Sequence, residues 1–591
     1  MDQNTTDYAL GRAASWINNN CIENKDKEEI EKLFNKSQQG DTEALQELVE
    51  RFYRNLEFGT GGIRSILGMG DNRINIYTIR KATFALAQAL KSSGQNQKVA
   101  ITYDSRHFSF DFAKEASSVL AGLGIETLLF SELNPLPLLS FAIRHHQCGA
   151  GIMITASHNP SDYNGYKVFW SDGAQVTPPW DQEIIDNYEK IEDLAQIKSL
   201  DLEQALKEGK VKWLGSETIE AYHDCISKNF LNPEVCRTFK DFKVVYTPLH
   251  GAAVHQAQKV FKNLEINYSL VDQQTNPDGN FPTVPSPNPE NAEALKMAVD
   301  QMKKEGADLA LGSDPDGDRV GVAFDVEGKT HYLNGNQIGL LMLHYTLKSL
   351  KAQNKLSDNA YFVKSIVTTE LQTVLAKSFG VKTINTLTGF KWICRAMNEM
   401  EEQDPNSQFI FATEESFGYL NHLYTRDKDG ISSLGLISEM TLYYKSQGLN
   451  LLEVLDEIYQ EYGLSQEHLL NLNYLGKEGS EKITRIMDYF RSFNDGKIAD
   501  EQIKEKQDFL KQVKTVNSTD TAMKDLPQSN VLCFIFNDDS RLYLRPSGTE
   551  PKIKFYIMIQ QTQGSLASKK EKAQERIEKI LEFIHQKVET I

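Results

Sequence analysis

Apolar runs with the length of β-strands alternate with helical stretches through the first part of this 591-residue chain. The runs lie at 98–103, 125–130 and 150–155, and a stretch with helical character lies between the first two at 112–121. Such alternation predicts an α/β domain whose helices cover a parallel or mixed sheet. Since an average domain takes about 150 residues, the chain is long enough for about four domains.

A distinctive loop follows the third apolar run. It has the sequence Thr155-Ala-Ser-His-Asn-Pro-Ser-Asp-Tyr-Asn-Gly-Tyr-Lys167. Asn159-Pro160 excludes a regular helix there, because proline restricts the residue before it and has no amide hydrogen. We expect the serine on this turn, Ser157, to be exposed and oriented, as a nucleophile or a phosphate carrier requires. Taken alone, Ser-His-Asn-Pro would more often be a surface turn without a function.

Three aspartates alternate in the string Gly312-Ser-Asp-Pro-Asp-Gly-Asp-Arg319. Pro315 and Gly317 can bend the backbone so that the three carboxylates converge; these are Asp314, Asp316 and Asp318. Oxygen ligands of this kind suit Mg²⁺, which prefers octahedral oxygen coordination. The preceding run 309–312 predicts a buried strand, which would place the acids at a strand's carboxyl end, where α/β folds commonly bind ligands.

Two further interpretations of this acidic loop compete with a magnesium site. An EF-hand calcium loop needs a glutamate at its twelfth position and flanking helices. Counted from Asp314, the twelfth residue is Asp325, and the adjoining apolar run 320–324 predicts a strand, which disfavours a calcium loop. The second interpretation is a solvated acidic turn without a metal.

Two loops later in the chain offer polar groups to a ligand. In Thr413-Glu-Glu-Ser-Phe-Gly418, Glu414 and Ser416 provide an acceptor and a donor two residues apart. In Leu544-Arg-Pro-Ser-Gly-Thr-Glu-Pro-Lys552, the guanidinium of Arg545 can donate two hydrogen bonds to a phosphate. The same loop supplies the hydroxyls and the flexible backbone that an anion site uses, at Ser547, Gly548 and Thr549.

The C-terminal tail has a different pattern from the α/β region. It predicts a pair of strands near 531–536 and 540–545, followed by a terminal helix. The apolar positions of that helix have helical spacing and predict a face packed on a sheet; they are Ile577, Ile580, Leu581, Ile584 and Val588.

Together the four motifs resemble those of the α-D-phosphohexomutases, the phosphoglucomutase and phosphomannomutase family, and they occur in that family's order. Smaller matches extend the resemblance from about residue 50 to about residue 560, at Phe58–Arg64, Tyr103–Arg106, Thr247–Gly251 and Thr388–Lys391. The resemblance implies an α/β fold of four domains around a central cleft: three related α/β domains with mixed sheets and a C-terminal α+β domain. The implied ranges are 1–235 with the phosphoserine loop, 236–335 with the metal-binding loop, 336–465 with the sugar-binding loop and 466–591 with the phosphate-binding loop.

The resemblance also implies a role for each candidate residue. Ser157 would carry a phosphoryl group, and Lys167 would act as general acid and base. Arg64 would hold the phosphoserine side of the site, and His158 would support it. The implied ligands of one Mg²⁺ are Ser157, Asp314, Asp316 and Asp318. The implied substrate-binding residues are Arg319, Thr388, Gly389, Lys391, Glu414, Ser416, Arg545, Ser547, Gly548 and Thr549.

The implied reaction moves a phosphoryl group within a sugar phosphate, by way of a phosphoserine enzyme and a bisphosphate intermediate. The resemblance favours conversion of glucose 1-phosphate to glucose 6-phosphate, with glucose 1,6-bisphosphate as activator. A mannose phosphate could also be the substrate. So could ribose or deoxyribose 1-phosphate, because Thr413 stands where glucose-preferring members often carry glycine. Synthesis of glucose 1,6-bisphosphate, a phosphatase activity, and an inactive sugar-phosphate sensor or scaffold are three more functions compatible with the sequence.

Charge and composition argue against several other classes of protein. A formal charge of −17 disfavours non-specific nucleic-acid binding, which depends on a basic surface. The six cysteines lack C-x-x-C spacing, so neither a zinc site nor a disulfide framework is indicated. No apolar run has transmembrane length, and the first residues lack a signal-peptide pattern. We therefore expect a cytoplasmic enzyme for a small molecule, as a monomer or small homo-oligomer.

Overall fold

The computed structural model of the chain describes residues 3–59, 61–474, 476–547 and 552–591. The chain forms two compact units. Unit 1 consists of residues 1–332 and 420–439, and unit 2 consists of residues 333–419 and 440–591.

Unit 1 begins with three helices, in a segment where the sequence indicated no particular fold. They are α1 (Gln3–Ile17), α2 (Asn24–Gln38) and α3 (Thr42–Phe52). They pack around Trp16, whose ring meets those of Phe52 and Tyr77 edge-on at centroid distances of 6.2 and 5.5 Å. Because Tyr77 lies on the next helix of the chain, this aromatic contact attaches the three helices to the first α/β layer.

The first sheet of unit 1 has six strands: β1 (Gly62–Ile66), β2 (Lys98–Tyr103), β3 (Glu126–Phe130), β4 (Ala150–Ile154), β5 (Tyr163–Trp170) and β6 (Val211–Leu214). Their order is β1-β5-β4-β2-β3-β6. The sheet is mixed, because β4, β2, β3 and β6 are parallel whereas β5 is antiparallel to both neighbours. The helices of this region are α4 (Ile76–Ser92), α5 (Ser109–Gly122), α6 (Leu136–His145), α7 (Trp180–Glu189), α8 (Leu202–Lys207), α9 (Ser216–Lys228) and α10 (Pro233–Thr238).

The second sheet of unit 1 has five strands: β7 (Lys243–Thr247), β8 (Asn267–Leu270), β9 (Leu309–Ser313), β10 (Val320–Val326) and β11 (Lys329–Leu333). Their order is β11-β10-β9-β7-β8, with β7 parallel to β8 and β9 and with β10 antiparallel to β9. Its helices are α11 (Val254–Asn263), α12 (Asp272–Thr275) and α13 (Lys296–Glu305). The acidic loop joins β9 to β10 and therefore begins at the carboxyl end of a buried strand, as predicted.

Unit 2 contains a four-stranded sheet made of β12 (Ala360–Ser365), β13 (Lys382–Thr386), β14 (Gln408–Glu414) and β15 (Gly418–Leu420), in the order β13-β12-β14-β15. β12 is parallel to both β13 and β14, so the carboxyl ends of these three strands share one edge. The helices of this part of the chain are α14 (Gly335–Ala352), α15 (Leu371–Ser378), α16 (Phe390–Gln403), α17 (Gly430–Ser446), which continues the chain from unit 1, and α18 (Leu451–Tyr462).

The last sheet of unit 2 is built from eight strands: β16 (Leu464–Asn473), β17 (Lys497–Ile498), β18 (Glu501–Asp508), β19 (Val513–Val516), β20 (Thr519–Ala522), β21 (Leu532–Phe536), β22 (Arg541–Pro546) and β23 (Lys552–Gln561). Seven follow the order β16-β23-β22-β21-β18-β19-β20, and β17 pairs with β18. The helices are α19 (Gly476–Ser492) and α20 (Leu566–Thr590). The predicted packing of the terminal helix is confirmed for four of the five positions: α20 lies on β16 and β23 and buries Ile577, Ile580, Ile584 and Val588, whereas Leu581 is half-buried.

The predicted α/β class with a C-terminal α+β region is confirmed. The runs that predicted strands at 98–103, 125–130 and 150–155 correspond to β2, β3 and β4, with ends that agree within one residue. The pair of strands expected near the C-terminus corresponds to β21 and β22 in the same way. The boundaries of the four proposed domains stay predictions.

All six cysteines are free thiols, in agreement with the absence of a disulfide framework. None of the described helices is both long and apolar enough to span a membrane.

A buried ionic network links the two sheets of unit 2. Lys364 of β12 has no exposed surface, and its Nζ lies 2.9 Å from Glu370 Oε1. Arg541 of β22 donates a hydrogen bond to the same oxygen at 2.9 Å. The carbonyl oxygen of Thr368 accepts a second hydrogen bond from Lys364, at 3.1 Å. One carboxylate therefore pairs with two cations that come from different sheets.

Replacing this carboxylate should destabilise unit 2 strongly. We expect Glu370→Ala to lower the free energy of unfolding by about 3–5 kcal/mol, because it leaves two enclosed cations without their partner. The shift of the urea denaturation midpoint measures this loss. The matched control is Glu399→Ala, whose carboxylate pairs with Arg395 on an exposed face of α16 and should contribute about 0.5 kcal/mol or less. Equal shifts in the two variants would contradict the prediction.

Candidate active site

Ser157 lies in the turn between β4 and β5, and its hydroxyl faces the acidic loop. Ser157 Oγ donates a hydrogen bond to Asp314 Oδ2 at 2.8 Å, and His158 Nδ1 lies 3.3 Å from Ser157 Oγ. Ser157 is only 2% exposed, so the prediction of an exposed serine is wrong. Ser157 is buried by a tertiary contact, because the loop that carries Asp314 covers the loop that carries Ser157. The same contact orients the serine hydroxyl.

The acidic loop brings three carboxylates into one buried cluster. The carboxylate oxygens of Asp314, Asp316 and Asp318 lie within 4.8 Å of one another, and none of the three residues is more than 2% exposed. Asp314 Oδ1 accepts hydrogen bonds from the backbone N–H groups of Asp318 and Arg319, at 3.1 and 3.0 Å. The turn passes through Gly317 with φ +66°, a left-handed conformation that favours glycine. The convergence expected from the alternating aspartates is therefore present.

Three cations surround the cluster. Lys167 Nζ lies 2.7 Å from Asp316 Oδ2 and 3.7 Å from Asp318 Oδ2. Lys428 Nζ lies 3.1 Å from Asp318 Oδ2. Arg319 Nε lies 3.8 Å from Asp318 Oδ1, and the same guanidinium pairs with Glu290. Like charges at this separation require such compensation when they are buried.

Sequence reasoning missed Lys428 because nothing near it in the chain points to the aspartates. The residue belongs to the segment 420–439, which forms part of unit 1 although the sequence on either side of it belongs to unit 2. The signal in the sequence was the charged run Arg426-Asp427-Lys428-Asp429, whose four members are all buried. A buried run of alternating charges needs partners from elsewhere in the fold, and Asp318 is one of them.

Burial and neighbouring charges act differently on the aspartates. Burial, followed by the charges of Asp316 and Asp318, raises the pKa of Asp314 well above its usual value. Burial acts in the same direction on Asp316, but the ammonium of Lys167, a hydrogen bond with Asp314 and the charge of Lys428 together outweigh it and lower the pKa of Asp316. Asp316 Oδ1 and Asp318 Oδ1 are buried and have no hydrogen-bond partner among the described residues. Buried carboxylate oxygens without donors suit a divalent cation.

Arg64 and Lys167 lie on neighbouring strands beside the serine loop. In the antiparallel pairing of β1 with β5, Gly62 is opposite Lys167 and Arg64 is opposite Gly165. Arg64 Nη1 donates a hydrogen bond to Asn159 Oδ1 at 2.9 Å, so this arginine contacts the loop that carries Ser157. Unit 1 thus brings together eight of the predicted site residues: Arg64, Ser157, His158, Lys167, Asp314, Asp316, Asp318 and Arg319.

In unit 2, the loop after β14 meets the start of α16. Glu414 Oε1 accepts a hydrogen bond from the backbone N–H of Gly389 at 2.6 Å. Lys391 lies in the first turn of α16, is 7% exposed, and places its Nζ 5.0 Å from the centre of the Trp392 ring. These residues follow the carboxyl ends of β13 and β14, so five predicted site residues share that edge of the sheet: Thr388, Gly389, Lys391, Glu414 and Ser416.

The predicted phosphate loop follows β22. Arg545 is paired in register with Lys554 of β23, which gives this end of the hairpin two cations. The backbone N–H of Ser547 donates a hydrogen bond to the carbonyl oxygen of Lys552 at 2.8 Å, which joins the two ends of the loop. Gly548 and Thr549 lie outside the described residues.

Glu415 lies in the loop after β14, and charges of both this loop and the β22–β23 hairpin act on its carboxylate. Burial first, and the charge of Glu414 second, raise the pKa of Glu415 to about 7, against the opposing effect of Lys554 and Arg545. Glu415 Oε2 also accepts a hydrogen bond from Ser365 Oγ at 3.2 Å. The carboxylate therefore lies between an acidic neighbour and the two cations of the hairpin.

Thr413 packs against α14. The residue has no exposed surface. A Cβ added at Gly339 of α14 would lie 2.7 Å from Thr413 Oγ1, so the threonine packs directly against that helix. The hydroxyl therefore lies against the protein interior, where a threonine in place of glycine affects packing.

Family sequence models match more than half of the chain. The model of phosphoglucomutase/phosphomannomutase alpha/beta/alpha domain I matches residues 55–195, that of domain II residues 220–327 and that of domain III residues 334–462. A phosphoglucomutase of Staphylococcus aureus (strain MRSA252) is 37% identical over 550 residues, which cover 91% of this chain and 96% of that protein.

Two further relatives extend the comparison. A phosphoglucomutase of Staphylococcus saprophyticus is 35% identical over 523 residues, which cover 88% of this chain and 93% of that protein. The open form of parafusin, a phosphoglucomutase from Paramecium, has a TM-score of 0.66 at 19% identity and covers 90% of this chain and 95% of its own. At that identity the solved structure shows a shared fold.

The raised pKa of Glu415 predicts a pH-dependent cost to stability. The usual pKa of a glutamate is 4.5, so between about pH 4.5 and 7 the folded protein holds a proton that the unfolded chain has lost. Stability from this group therefore falls as pH rises through that window. We expect Glu415→Gln, which is neutral at every pH, to raise the melting temperature more at pH 8 than at pH 5. A difference that does not change with pH would contradict this assignment.

Proposed function

The chain belongs to the phosphoglucomutase/phosphomannomutase family, and we propose that it interconverts glucose 1-phosphate and glucose 6-phosphate through a phosphorylated Ser157. The enzyme class and the substrate are supported by relatives named phosphoglucomutase that align over most of the chain. One observation carries the choice of nucleophile: Ser157 Oγ lies 2.8 Å from Asp314 Oδ2, at the edge of a buried acidic cluster.

In the proposed first transfer, the 6-hydroxyl of glucose 1-phosphate attacks the phosphorus on Ser157. The bond from phosphorus to Ser157 Oγ breaks, a bond to O6 forms, and glucose 1,6-bisphosphate results. As O6 loses its proton, the departing Ser157 Oγ takes one up. Lys167, which lies beside Asp316 in the same cluster, is the proposed general acid and base for this exchange, and it would accept a proton only as the neutral amine. His158 is proposed to orient Ser157, and Arg64 to hold the loop through Asn159.

In the second transfer, the bisphosphate has reoriented and Ser157 Oγ attacks the phosphorus at position 1. The bond from that phosphorus to O1 breaks, O1 takes up the proton that Ser157 Oγ gives up, and glucose 6-phosphate leaves a phosphorylated serine behind. The side chains that hold the sugar must therefore accept two orientations of it. For sugar hydroxyls we propose Glu414 and Ser416. For the phosphate that is not transferred we propose Arg545, Ser547, Gly548 and Thr549, with Arg319, Thr388, Gly389 and Lys391 as further contacts.

We propose that the acidic cluster holds one Mg²⁺. Asp314, Asp316 and Asp318 would be its protein ligands, together with the phosphoryl group on Ser157. The two buried carboxylate oxygens that lack hydrogen-bond donors support this set, as does the preference of Mg²⁺ for oxygen ligands. When bound, Mg²⁺ supplies positive charge against the transferring phosphoryl group.

A substrate comparison tests the proposed reaction. With Mg²⁺ and catalytic glucose 1,6-bisphosphate present, we expect kcat/KM for glucose 1-phosphate to exceed that for mannose and ribose 1-phosphates by about tenfold or more. Thr413→Gly should keep this order, because Thr413 has no exposed surface. A preference for ribose 1-phosphate would overturn the proposed substrate. A reversed order in Thr413→Gly would show that this residue selects the sugar.

Ser157→Ala tests the nucleophile. We expect turnover to fall by about 10³-fold or more, because no other group can take over the covalent step. Intact-mass analysis should find no phosphate on the variant after incubation with glucose 1,6-bisphosphate. Ser161→Ala, in the same loop, is the matched control and should retain both turnover and phosphate. Wild-type turnover in Ser157→Ala would exclude the proposed mechanism.

Asp314→Asn tests the metal site without removing the backbone contacts, since an amide oxygen can still accept the N–H groups of Asp318 and Arg319. We expect Mg²⁺ to raise the melting temperature of the wild type and not of this variant, because ligands that bind only the folded state stabilise it. Without Mg²⁺ the variant should be at least as stable as the wild type, since it removes one of three buried like charges. The control is Asp325→Asn, an acid outside the cluster. Loss of the Mg²⁺ response in that control alone would place the metal elsewhere.

A further inference from the structure

One arginine holds most of the loop that carries Ser157. The guanidinium of Arg106 is fully buried, and its Nη2 donates a hydrogen bond to the carbonyl oxygen of Ser157 at 2.6 Å. The same guanidinium donates to three more carbonyl oxygens of this loop, those of Asn159, Pro160 and Tyr163. One side chain thus binds four backbone carbonyls along the loop between β4 and β5.

A buried carboxylate holds the other side of the serine. Asp104 Oδ2 accepts a hydrogen bond from Thr155 Oγ1 at 2.5 Å, and Thr155 Oγ1 in turn accepts one from the backbone N–H of Ser157 at 2.8 Å. Asp104 Oδ2 also lies 3.4 Å from Arg106 Nε, which joins the two supports as an ion pair. The N–H of Ser157 is therefore linked to Asp104 through Thr155, and the C=O of Ser157 is bonded to Arg106.

This support matters because Ser157 has an unfavourable backbone conformation. Its φ is +53°, in the left-handed region. An L-residue other than glycine pays about 1–2 kcal/mol for that conformation, so it persists only where the surroundings enforce it. In this conformation the Ser157 hydroxyl points at Asp314. Relaxation of the turn would move that hydroxyl away from the acidic cluster.

Residues of the segment between α12 and α13 cover Asp104 and Arg106. The Arg106 guanidinium lies 4.9 Å from the centre of the Phe281 ring, a cation–π distance. Ser286 Oγ donates a hydrogen bond to the carbonyl oxygen of His158 at 2.8 Å. The contacts thus join the serine loop and Arg106 to the segment between α12 and α13.

We infer that Arg106 is a positioning residue for phosphoryl transfer: it keeps Ser157 in the left-handed conformation that aims its hydroxyl at Asp314. The inference rests on the proposed function. Arginine suits this task because its planar fork offers five donors in fixed directions, whereas lysine offers a flexible point charge. Arg106 holds the nucleophile and has no assigned contact with the sugar, so its loss should lower kcat much more than it changes KM.

Arg106→Lys tests this inference, because it keeps the positive charge and loses the fork. We expect kcat for glucose 1-phosphate to fall about 100-fold, the loss that a misplacement of about 1 Å can cause, with KM changed less than about threefold. The single-turnover rate at which glucose 1,6-bisphosphate phosphorylates Ser157, followed by intact mass, should fall by a similar factor.

The matched control is Arg144→Lys. Arg144 lies in the last turn of α6 and donates to the carbonyl oxygen of Asp172 at 2.8 Å. Asp172 follows the end of β5 that pairs with the first residue of β4, whereas Ser157 follows the other end of β4. This variant should retain wild-type kcat. If Arg106→Lys matches it in kcat and in the rate of Ser157 phosphorylation, the inference is overturned while the proposed function stands. A wild type that neither takes phosphate on Ser157 nor converts any sugar phosphate would overturn the proposed function, and the inference with it.

A second pair of variants covers the case in which Arg106→Lys does not fold. Thr155→Val removes the hydroxyl that links Asp104 to the N–H of Ser157, with little change of shape, and Thr155→Ser restores it. We expect a fall in kcat with an unchanged KM in the valine variant and recovery of most of the rate in the serine variant. Equal kcat in both variants and the wild type would overturn the inference.

Discussion

Three carboxylates share one buried cluster, and their mutual repulsion determines what must surround them. Two unit charges about 5 Å apart repel by roughly 3 kcal/mol at an effective dielectric constant of about 20. Unit 1 offsets this repulsion with cations from separate parts of the chain. They are Lys167 on β5, Arg319 at the end of the acidic loop and Lys428 in the segment 420–439. The backbone is equally constrained, since a Cβ at Gly251 would lie 2.4 Å from Pro315 Cα.

The same electrostatics explain why a serine and not an acid faces the cluster. A neutral hydroxyl can donate a hydrogen bond to Asp314 Oδ2, as Ser157 does, without adding charge. The proposed phosphoserine would add about two negative charges at that point. Such a state is tolerable only with compensating positive charge, and the buried oxygens of Asp316 and Asp318 that lack donors offer a divalent cation its ligands. The proposed phosphorylation of Ser157 therefore requires the proposed metal, because the added negative charge needs a cation beside it.

In unit 2 the arrangement of charges is reversed, because two cations there share one carboxylate. Its two sheets are joined by Lys364 and Arg541, which share the carboxylate of Glu370. Close by, Glu415 interacts with the cations of the β22–β23 hairpin, and burial together with the charge of Glu414 raises the pKa of Glu415 to about 7. A loop of carboxylates that accepts hydroxyl donors, next to a hairpin of cations that attracts phosphate, provides the two chemistries that a sugar phosphate requires.

The sequence by itself determined the α/β class, the main strands and the convergence of the three aspartates, because these depend on hydrophobic periodicity and on turns a few residues long. It also predicted the serine loop and the phosphate loop from their local motifs. Only the tertiary structure decided that Ser157 is buried on Asp314, that Thr413 packs against α14, and that Arg106 and Lys428 belong to the same surroundings. The N-terminal helices likewise depend on a contact between Trp16 and Tyr77. Burial and charge pairing act through space between residues far apart in the chain, and no local pattern records those distances.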